Sequence, residues 1–187
     1  MSAGCPAELV PLPGMRHGCM IVPGLGLNKS LYISAGADLS FLASAMIETN
    51  QMDPASYPKG DFKYDKQGNK VPKINDEFNA GACKQNWGMM RQVYGPWKSM
   101  KPEQYETCYE LTQNRRLDVA IYKQSMLQFG ETKFLAGHRN GSLGLANPNT
   151  PDINNFIAAW RWTKDRILSD PEYLTNDVRF WAQLPPI

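Results

Sequence analysis

A long polar stretch at residues 53–80 constrains this chain most, because a regular helix cannot run through it. Five helix-breaking residues interrupt the stretch, namely Pro54, Pro58, Gly60, Gly68 and Pro72. Helical periodicity returns on both sides of it. A loop of this length inside a compact domain is usually functional or partly β. We therefore expect an α+β fold that is mainly α, with its strands confined to this stretch.

Apolar residues recur at helical spacing in several other segments. They predict helices over 38–52, 84–94, 102–129 (with a break) and 150–167, and a short one over 177–184. The helix at 150–167 has the clearest start, with Thr150 as N-cap and Pro151 in the first turn. Because Trp160 and Trp162 cannot both face one core, one of them is expected to line a groove. Residues 136–149, rich in Gly and Asn, are predicted to form a loop.

The first 36 residues contain many Pro and Gly and little periodicity. We predict an irregular or short-strand segment packed on a single catalytic domain that spans 1–187. Residues 24–30 faintly resemble a phosphate-binding loop, but Asn28 stands where that motif needs Gly before Lys29. No signal peptide is recognised, so a mature form with an added start Met is expected.

Charge and hydropathy exclude several classes of protein. The chain has 20 Lys and Arg against 18 Asp and Glu, so a nucleic-acid-binding surface is not expected. Its mean hydropathy is −0.46 and no apolar run approaches a membrane span. The 5 Trp, 8 Tyr and 7 Phe oppose disorder. A soluble protein remains, and nothing demands a partner subunit, so a monomer is expected.

Four cysteines occur, at Cys5, Cys19, Cys83 and Cys108. Their wide spacing and the presence of only two histidines argue against a zinc site, and no cofactor is expected. An even number of cysteines is typical of disulfides in a secreted protein. We predict Cys5–Cys19 and Cys83–Cys108, which close short loops. The alternative is four buried free thiols in a cytosolic protein.

The chain lacks the nucleophile elbow, the zinc-protease motif and the dinucleotide fingerprint. Carboxylates and aromatic residues are abundant, which suits acid–base chemistry on a sugar. Glu48 ends an apolar helix, and an apolar setting would raise its pKa and make it a general acid. Asp61 follows a Pro-Gly turn that could aim it across a cleft. The alternatives are a solvated Glu48 and an ordinary turn aspartate at Asp61. The sequence does not rank Asp61 against the other carboxylates of the same loop, which are Asp53, Asp65, Asp76 and Glu77.

Two further clusters are rich in hydrogen-bonding groups. Lys84, Gln85, Asn86 and Trp87 fit a sugar subsite, or equally the first turn of a helix with one core Trp. Residues 137–141 form a polar cluster that is either a second wall of the site or a solvated loop.

Three blocks between Glu48 and Arg91 resemble glycoside hydrolase family 134, the endo-β-1,4-mannanases. They are Glu48-Thr49-Asn50-Gln51-Met52, Tyr57-Pro58-Lys59-Gly60-Asp61 and Asn79-Ala80-Gly81-Ala82-Cys83-Lys84-Gln85-Asn86-Trp87-Gly88-Met89-Met90-Arg91. The family pattern has ETN, a YxxGD turn and KQNW followed four residues later by Arg. Here the interval from Glu48 to Asp61 is one residue longer, so Asp65 stays as the alternative base.

The resemblance implies a lysozyme-like fold with a small β lobe over a substrate cleft. It implies a secreted enzyme that hydrolyses β-1,4-mannan with inversion, with Glu48 as general acid and Asp61 as general base. An inverting pair stands about 6.5–9.5 Å apart, which leaves room for a water. The residues it implies for mannosyl binding are Thr49, Asn50, Tyr57, Asn79, Lys84, Gln85, Asn86, Trp87 and Arg91, with His138 and Asn140 on the opposite wall.

Two other hypotheses remain open at this point. The same fold could act on chitin, chitosan or peptidoglycan. The protein could also be a non-catalytic, secreted carbohydrate-binding protein, although binding alone does not require two differently tuned carboxylates.

Overall fold

The structure is a computed structural model that describes residues 4–56 and 60–185. Its α-helices are α1 (Leu25–Ser34), α2 (Leu39–Glu48), α3 (Trp87–Val93), α4 (Arg115–Phe129), α5 (Glu131–Ala146) and α6 (Pro151–Leu168). Its strands are β1 (His17–Ile21), β2 (Phe62–Tyr64), β3 (Lys70–Pro72), β4 (Asn79–Ala80), β5 (Gln85–Asn86) and β6 (Val178–Ala182). Five 3₁₀ segments connect them, at Pro54–Ser56, Asn75–Glu77, Gly95–Trp97, Pro102–Thr112 and Pro171–Leu174. The expectation of a mainly helical α+β fold is confirmed.

Helix α6 lies at the centre of the main core. Thr150 caps it by accepting a hydrogen bond from the Ile153 N–H, as the sequence predicts. Trp160 and Trp162 are both buried, because elements pack on two sides of α6. The Trp160 indole donates to Ser44 of α2, whereas the Trp162 indole donates to the Val10 carbonyl. The expectation that one of the two lines a groove is therefore wrong.

The two ends of the chain meet in an antiparallel pair, in which Cys19 of β1 lies opposite Phe180 of β6. The predicted helix over 177–184 is wrong, because Val178 and Phe180 are buried at a spacing of two, as in a strand. The restriction of strands to 53–80 is wrong for the same reason. The N-terminal segment is also less irregular than expected, since it contains both β1 and α1.

The Lys29 side chain, in the segment that resembles a phosphate loop, locks α1 to the C-terminal part of the chain. It is fully buried, and its ammonium donates to the carbonyls of Tyr173, Asn176 and Val178 at 2.6–2.9 Å. The lysine therefore serves the fold rather than a phosphate.

The cysteine predictions are half confirmed. Cys5 and Cys19 form a disulfide. Cys83 and Cys108 are both free and buried, so the second predicted disulfide is wrong. They belong to different cores, since Cys83 packs in the main core around α6 and Cys108 in a second cluster with Trp87 and Trp97.

Two small hairpins, β2–β3 and β4–β5, lie in and just beyond the stretch at 53–80. They are the strands that the sequence predicts there. Within residues 4–56 and 60–185, no helix is long and apolar enough to cross a membrane.

Candidate active site

Glu48 is the last residue of α2. Asp38 caps this helix by accepting from the Phe41 N–H, and the buried run from Phe41 to Met46 fixes it in the core. Thr49 then turns extended, and its hydroxyl donates to the Ala45 and Ala82 carbonyls. The end of α2 is therefore tied to the β4–β5 turn, and Glu48 is held beside it.

Glu48 has a partner on α5, which is His138. The His138 Nε2 lies 3.3 Å from Glu48 Oε1, and the imidazole is only 4% exposed against 22% for the Glu48 side chain. Phe134 and Phe156 flank the ring and fix its orientation. Burial raises the pKa of Glu48, but the hydrogen bond and the charge of His138 outweigh it, so the pKa is lowered overall. The expectation of a raised pKa from apolar surroundings is thus wrong in the free protein.

Asp61 lies immediately before strand β2 of the β2–β3 hairpin. Gly60 precedes it with φ 73°, and a Cβ there would collide with the Phe78 ring, so only glycine fits. The Phe62 N–H donates to Asp61 Oδ1 at 2.8 Å. Lys73 Nζ donates to Oδ2 at 3.2 Å, and Asn79 Nδ2 lies 3.4 Å from the same oxygen. The hairpin thereby fixes the direction of the carboxylate.

The electrostatic setting of Asp61 keeps it ionised. Burial raises its pKa, but the charges of Lys84 and Lys73 and the Phe62 N–H lower it more, so the pKa lies below its usual value. Asp61 is also among the charges that act on Glu48, so the two carboxylates are within electrostatic range of each other.

Lys84 links the two carboxylates. Its Nζ lies 4.0 Å from Asp61 Oδ2, and its charge lowers the pKa of both Asp61 and Glu48. Lys84 has a φ of 48°, which is uncommon for a residue other than glycine. Such backbone geometry persists only where the surroundings enforce it, often at functional sites.

Three of the residues predicted to bind sugar, Thr49, Asn79 and Lys84, line one narrow cleft. The other residues that line it are Pro54, Gly60, Ala80, Gly81, Tyr109 and Thr112. Tyr109 and Thr112 belong to the long 3₁₀ segment, and sequence reasoning missed both, as it missed Lys73. Lys73 could have been found from its place among the several lysines that follow Asp61 in the sequence. The 3₁₀ segment carries no motif that would have pointed to Tyr109 or Thr112.

Four predicted sugar-binding residues have structural partners instead. The Gln85 amide is buried and donates to Asp118, and Asn86 caps α3 by accepting from the Met89 N–H. Trp87 is fully buried, with its indole on the Pro102 carbonyl. Arg91 pairs with Asp76 and donates to the Met100 carbonyl. The alternative of a helix start with one core Trp therefore describes this segment.

The remaining predicted residues fall in different places. Asn50 is exposed just beyond α2, and Tyr57 lies outside the described residues. Residues 136–146 are helical rather than a loop, with a kink at Asn140, whose amide lies 3.4 Å from Asp152 Oδ2. Asp65 accepts from the Gln67 and Asn69 N–H groups and closes the β2–β3 turn. Because the Asp65 carboxylate is engaged within its own turn, Asp61 is favoured over Asp65 as the candidate general base.

Among the described residues, no group of three or more His, Cys, Asp or Glu side chains is placed to hold a metal ion. The chemistry available here is proton donation by one carboxylate and proton acceptance by another, of which one has a histidine partner and the other contacts two lysines. Two carboxylates with different partners, within electrostatic range of each other, are typical of the class of glycoside hydrolases.

The comparisons with known proteins identify the family. Residues 26–184 match glycosyl hydrolase family 134, and the chain belongs to that family. It is therefore a glycoside hydrolase, whose family points to a polysaccharide substrate. No curated protein matches the chain.

Proposed function

We propose that the chain is a secreted endo-β-1,4-mannanase that acts with inversion, with Glu48 as general acid and Asp61 as general base. The observation that carries the proposal is the pair of carboxylates in mutual electrostatic range, one beside His138 and the other beside Lys73 and Lys84. Family membership supports the substrate, and the Cys5–Cys19 disulfide supports secretion.

Asp61 suits the role of base because two lysines and a backbone N–H keep it ionised. It takes a proton from a water whose oxygen attacks the anomeric carbon. The bond from that carbon to the glycosidic oxygen breaks at the same time, and Glu48 gives its proton to the leaving oxygen. Inversion follows because the water and the leaving group lie on opposite faces of the sugar.

Glu48 must be protonated to act as the acid, although its pKa is lowered in the free protein. A bound polysaccharide would cover the 22% of its side chain that remains exposed. Removing water disfavours the charged carboxylate and adds to the burial that already raises its pKa.

A panel of polysaccharides tests the proposal. The protein is incubated separately with unsubstituted β-1,4-mannan, chitin, chitosan and peptidoglycan, and new reducing ends and viscosity are followed. We expect reducing ends from mannan only, with an early fall in viscosity because cleavage is internal. Glu48→Gln serves as the matched control. Cleavage of another polymer instead, or mannan binding with no new ends, would overturn the proposal.

A further inference from the structure

The turn that carries Lys84 contains two residues in the left-handed region. Gly81 has φ 80° and Lys84 has φ 48°. The turn joins β4 to β5, in which Ala80 pairs with Gln85, and the Lys84 N–H donates to the Gly81 carbonyl at 3.1 Å. Because Lys84 holds this conformation without the freedom of glycine, something outside the turn must enforce it.

Asp118, on α4, contacts the turn at both of its ends. Its Oδ2 accepts from the Ala82 N–H at 2.9 Å. Its Oδ1 and its backbone carbonyl accept from the Gln85 amide at 2.7 and 2.8 Å. A Cβ at Gly81 would collide with the carboxylate. The buried Asp118 side chain therefore binds Ala82 and Gln85, which lie on either side of Lys84 in the sequence.

The environment of Asp118 is unusual for a carboxylate. It is fully buried, and its hydrogen bonds come from neutral donors: the Ala82 N–H, the Gln85 amide and, at 3.4 Å, the Tyr32 hydroxyl. Burial raises its pKa to about 7, against the lowering by these donors. Cys83, also buried, and Arg115, which lies over the Tyr32 ring, are the other titratable groups nearby. Burying a carboxylate among neutral donors costs free energy of folding, so we expect Asp118 to have a role besides packing.

We propose that Asp118 is a positioning residue for the candidate active site, which holds the 81–84 turn so that the Lys84 ammonium stays within electrostatic range of both Glu48 and Asp61. The proposal rests on the proposed function for its catalytic meaning. The position of Lys84, however, can be tested without any assumption about the substrate.

A displaced Lys84 has a defined consequence. Its charge lowers the pKa of both carboxylates, so both values rise when it moves away. His138 still faces Glu48, and Lys73 still faces Asp61, so neither shift is complete. In an acid–base mechanism the acidic limb of the rate profile reports the base and the alkaline limb reports the acid. Both limbs must therefore move to higher pH.

The test is the pH dependence of kcat/KM for Asp118→Asn, an isosteric change that puts a donor opposite the Ala82 N–H or the Gln85 amide. We expect both limbs to rise by roughly 0.5–1 pH unit. Lys84→Met should move both limbs in the same direction, and the double variant should add no further shift. Val119→Ala, the next buried residue on α4, is the control that lowers stability without moving either limb.

A second measurement separates this inference from the proposed function. Carbon NMR of the Glu48 and Asp61 carboxyl groups, without substrate, follows their titration in wild type and Asp118→Asn. Higher pKa values for both support the inference even if mannan is not the substrate. If Asp118→Asn does not fold, Gln85→Met removes two of the same hydrogen bonds. A folded variant in which both carboxylates titrate as in wild type would overturn the inference.

Discussion

The Nε2 atom of His138 lies 3.3 Å from Oε1 of Glu48, and the two residues come from helices α5 and α2. The contact joins the sequence block that begins at Glu48 to a segment 90 positions further on. It means that the protonation of Glu48 depends on a buried imidazole rather than on apolar surroundings alone.

Replacing His138 by Phe should therefore alter the acid and spare the base. The hydrogen bond and the charge of His138 lower the pKa of Glu48, so their loss raises it. A general acid with a higher pKa stays protonated to higher pH, and we expect the alkaline limb of kcat/KM to rise by about 0.5–1 pH unit. The acidic limb should stay in place. Leu135→Met, a buried neighbour on α5, is the control, and equal profiles for all three proteins would refute the role.

Glu48→Gln and Asp61→Asn should each remove turnover while the protein stays folded. General acid–base groups contribute about 10²–10⁴-fold to rate, so kcat on mannan should fall at least a hundredfold in each variant. Circular dichroism and thermal melting establish that the fold is kept. Asp65→Asn is the matched control, because its carboxylate serves the hairpin turn. Loss of activity in Asp65→Asn together with retention in Asp61→Asn would reverse the assignment.

The cysteines should divide into one bonded and one free pair. Alkylation of the denatured, unreduced protein should label Cys83 and Cys108, and reduction should add Cys5 and Cys19. Mass spectrometry of the labelled peptides reads this directly. Replacing both Cys5 and Cys19 by Ala should lower the free energy of unfolding by about 3 kcal/mol on the loop-entropy model. Labelling of all four cysteines before reduction would contradict the structure.

Lys29→Met should destabilise the fold far more than an exposed lysine variant does. Its ammonium satisfies three buried carbonyls, and methionine would leave them unpaired. We expect a loss of about 3 kcal/mol or more in urea unfolding. Lys123→Met is the control, since that exposed lysine donates to the Gly36 carbonyl alone, and it should cost less than about 1 kcal/mol. Equal losses would show that the buried contacts contribute little.

Capping residues and apolar periodicity predicted those parts of the fold that depend on residues close together in the sequence. Thr150 and Pro151 mark the start of α6, and the structure begins the helix there. The β6 strand was misassigned because its partner β1 lies at the other end of the chain, and only that pairing makes Val178 and Phe180 a strand. Residues 136–146 have the composition of a loop, yet they are helical, and Gly137 lets α5 pack closely on Met89 of α3 because a Cβ there would collide with the Met89 sulfur.

The two candidate carboxylates could be proposed from residue type and position in the sequence, but the side chains that face them could not. Glu48 and Asp61 stood out as carboxylates at the ends of a helix and a turn, and the structure brings both within reach of Lys84. The burial of Gln85 and Trp87 could not be predicted, because a polar or aromatic residue type does not reveal which side of its strand or helix faces the core. Asp118 carried no motif, since its role depends on contacts between α4 and a turn more than 30 positions earlier.

Proton NMR of unsubstituted β-1,4-mannan, recorded in the first minutes after protein is added, distinguishes inversion from retention. Under the proposed mechanism, new reducing ends appear first as the α anomer, because Asp61 activates a water on the face opposite the leaving group. The Asp61→Asn variant should give no such signal. Early β-anomeric ends would refute the proposed mechanism, because they would mean retention and a carboxylate nucleophile in place of a base.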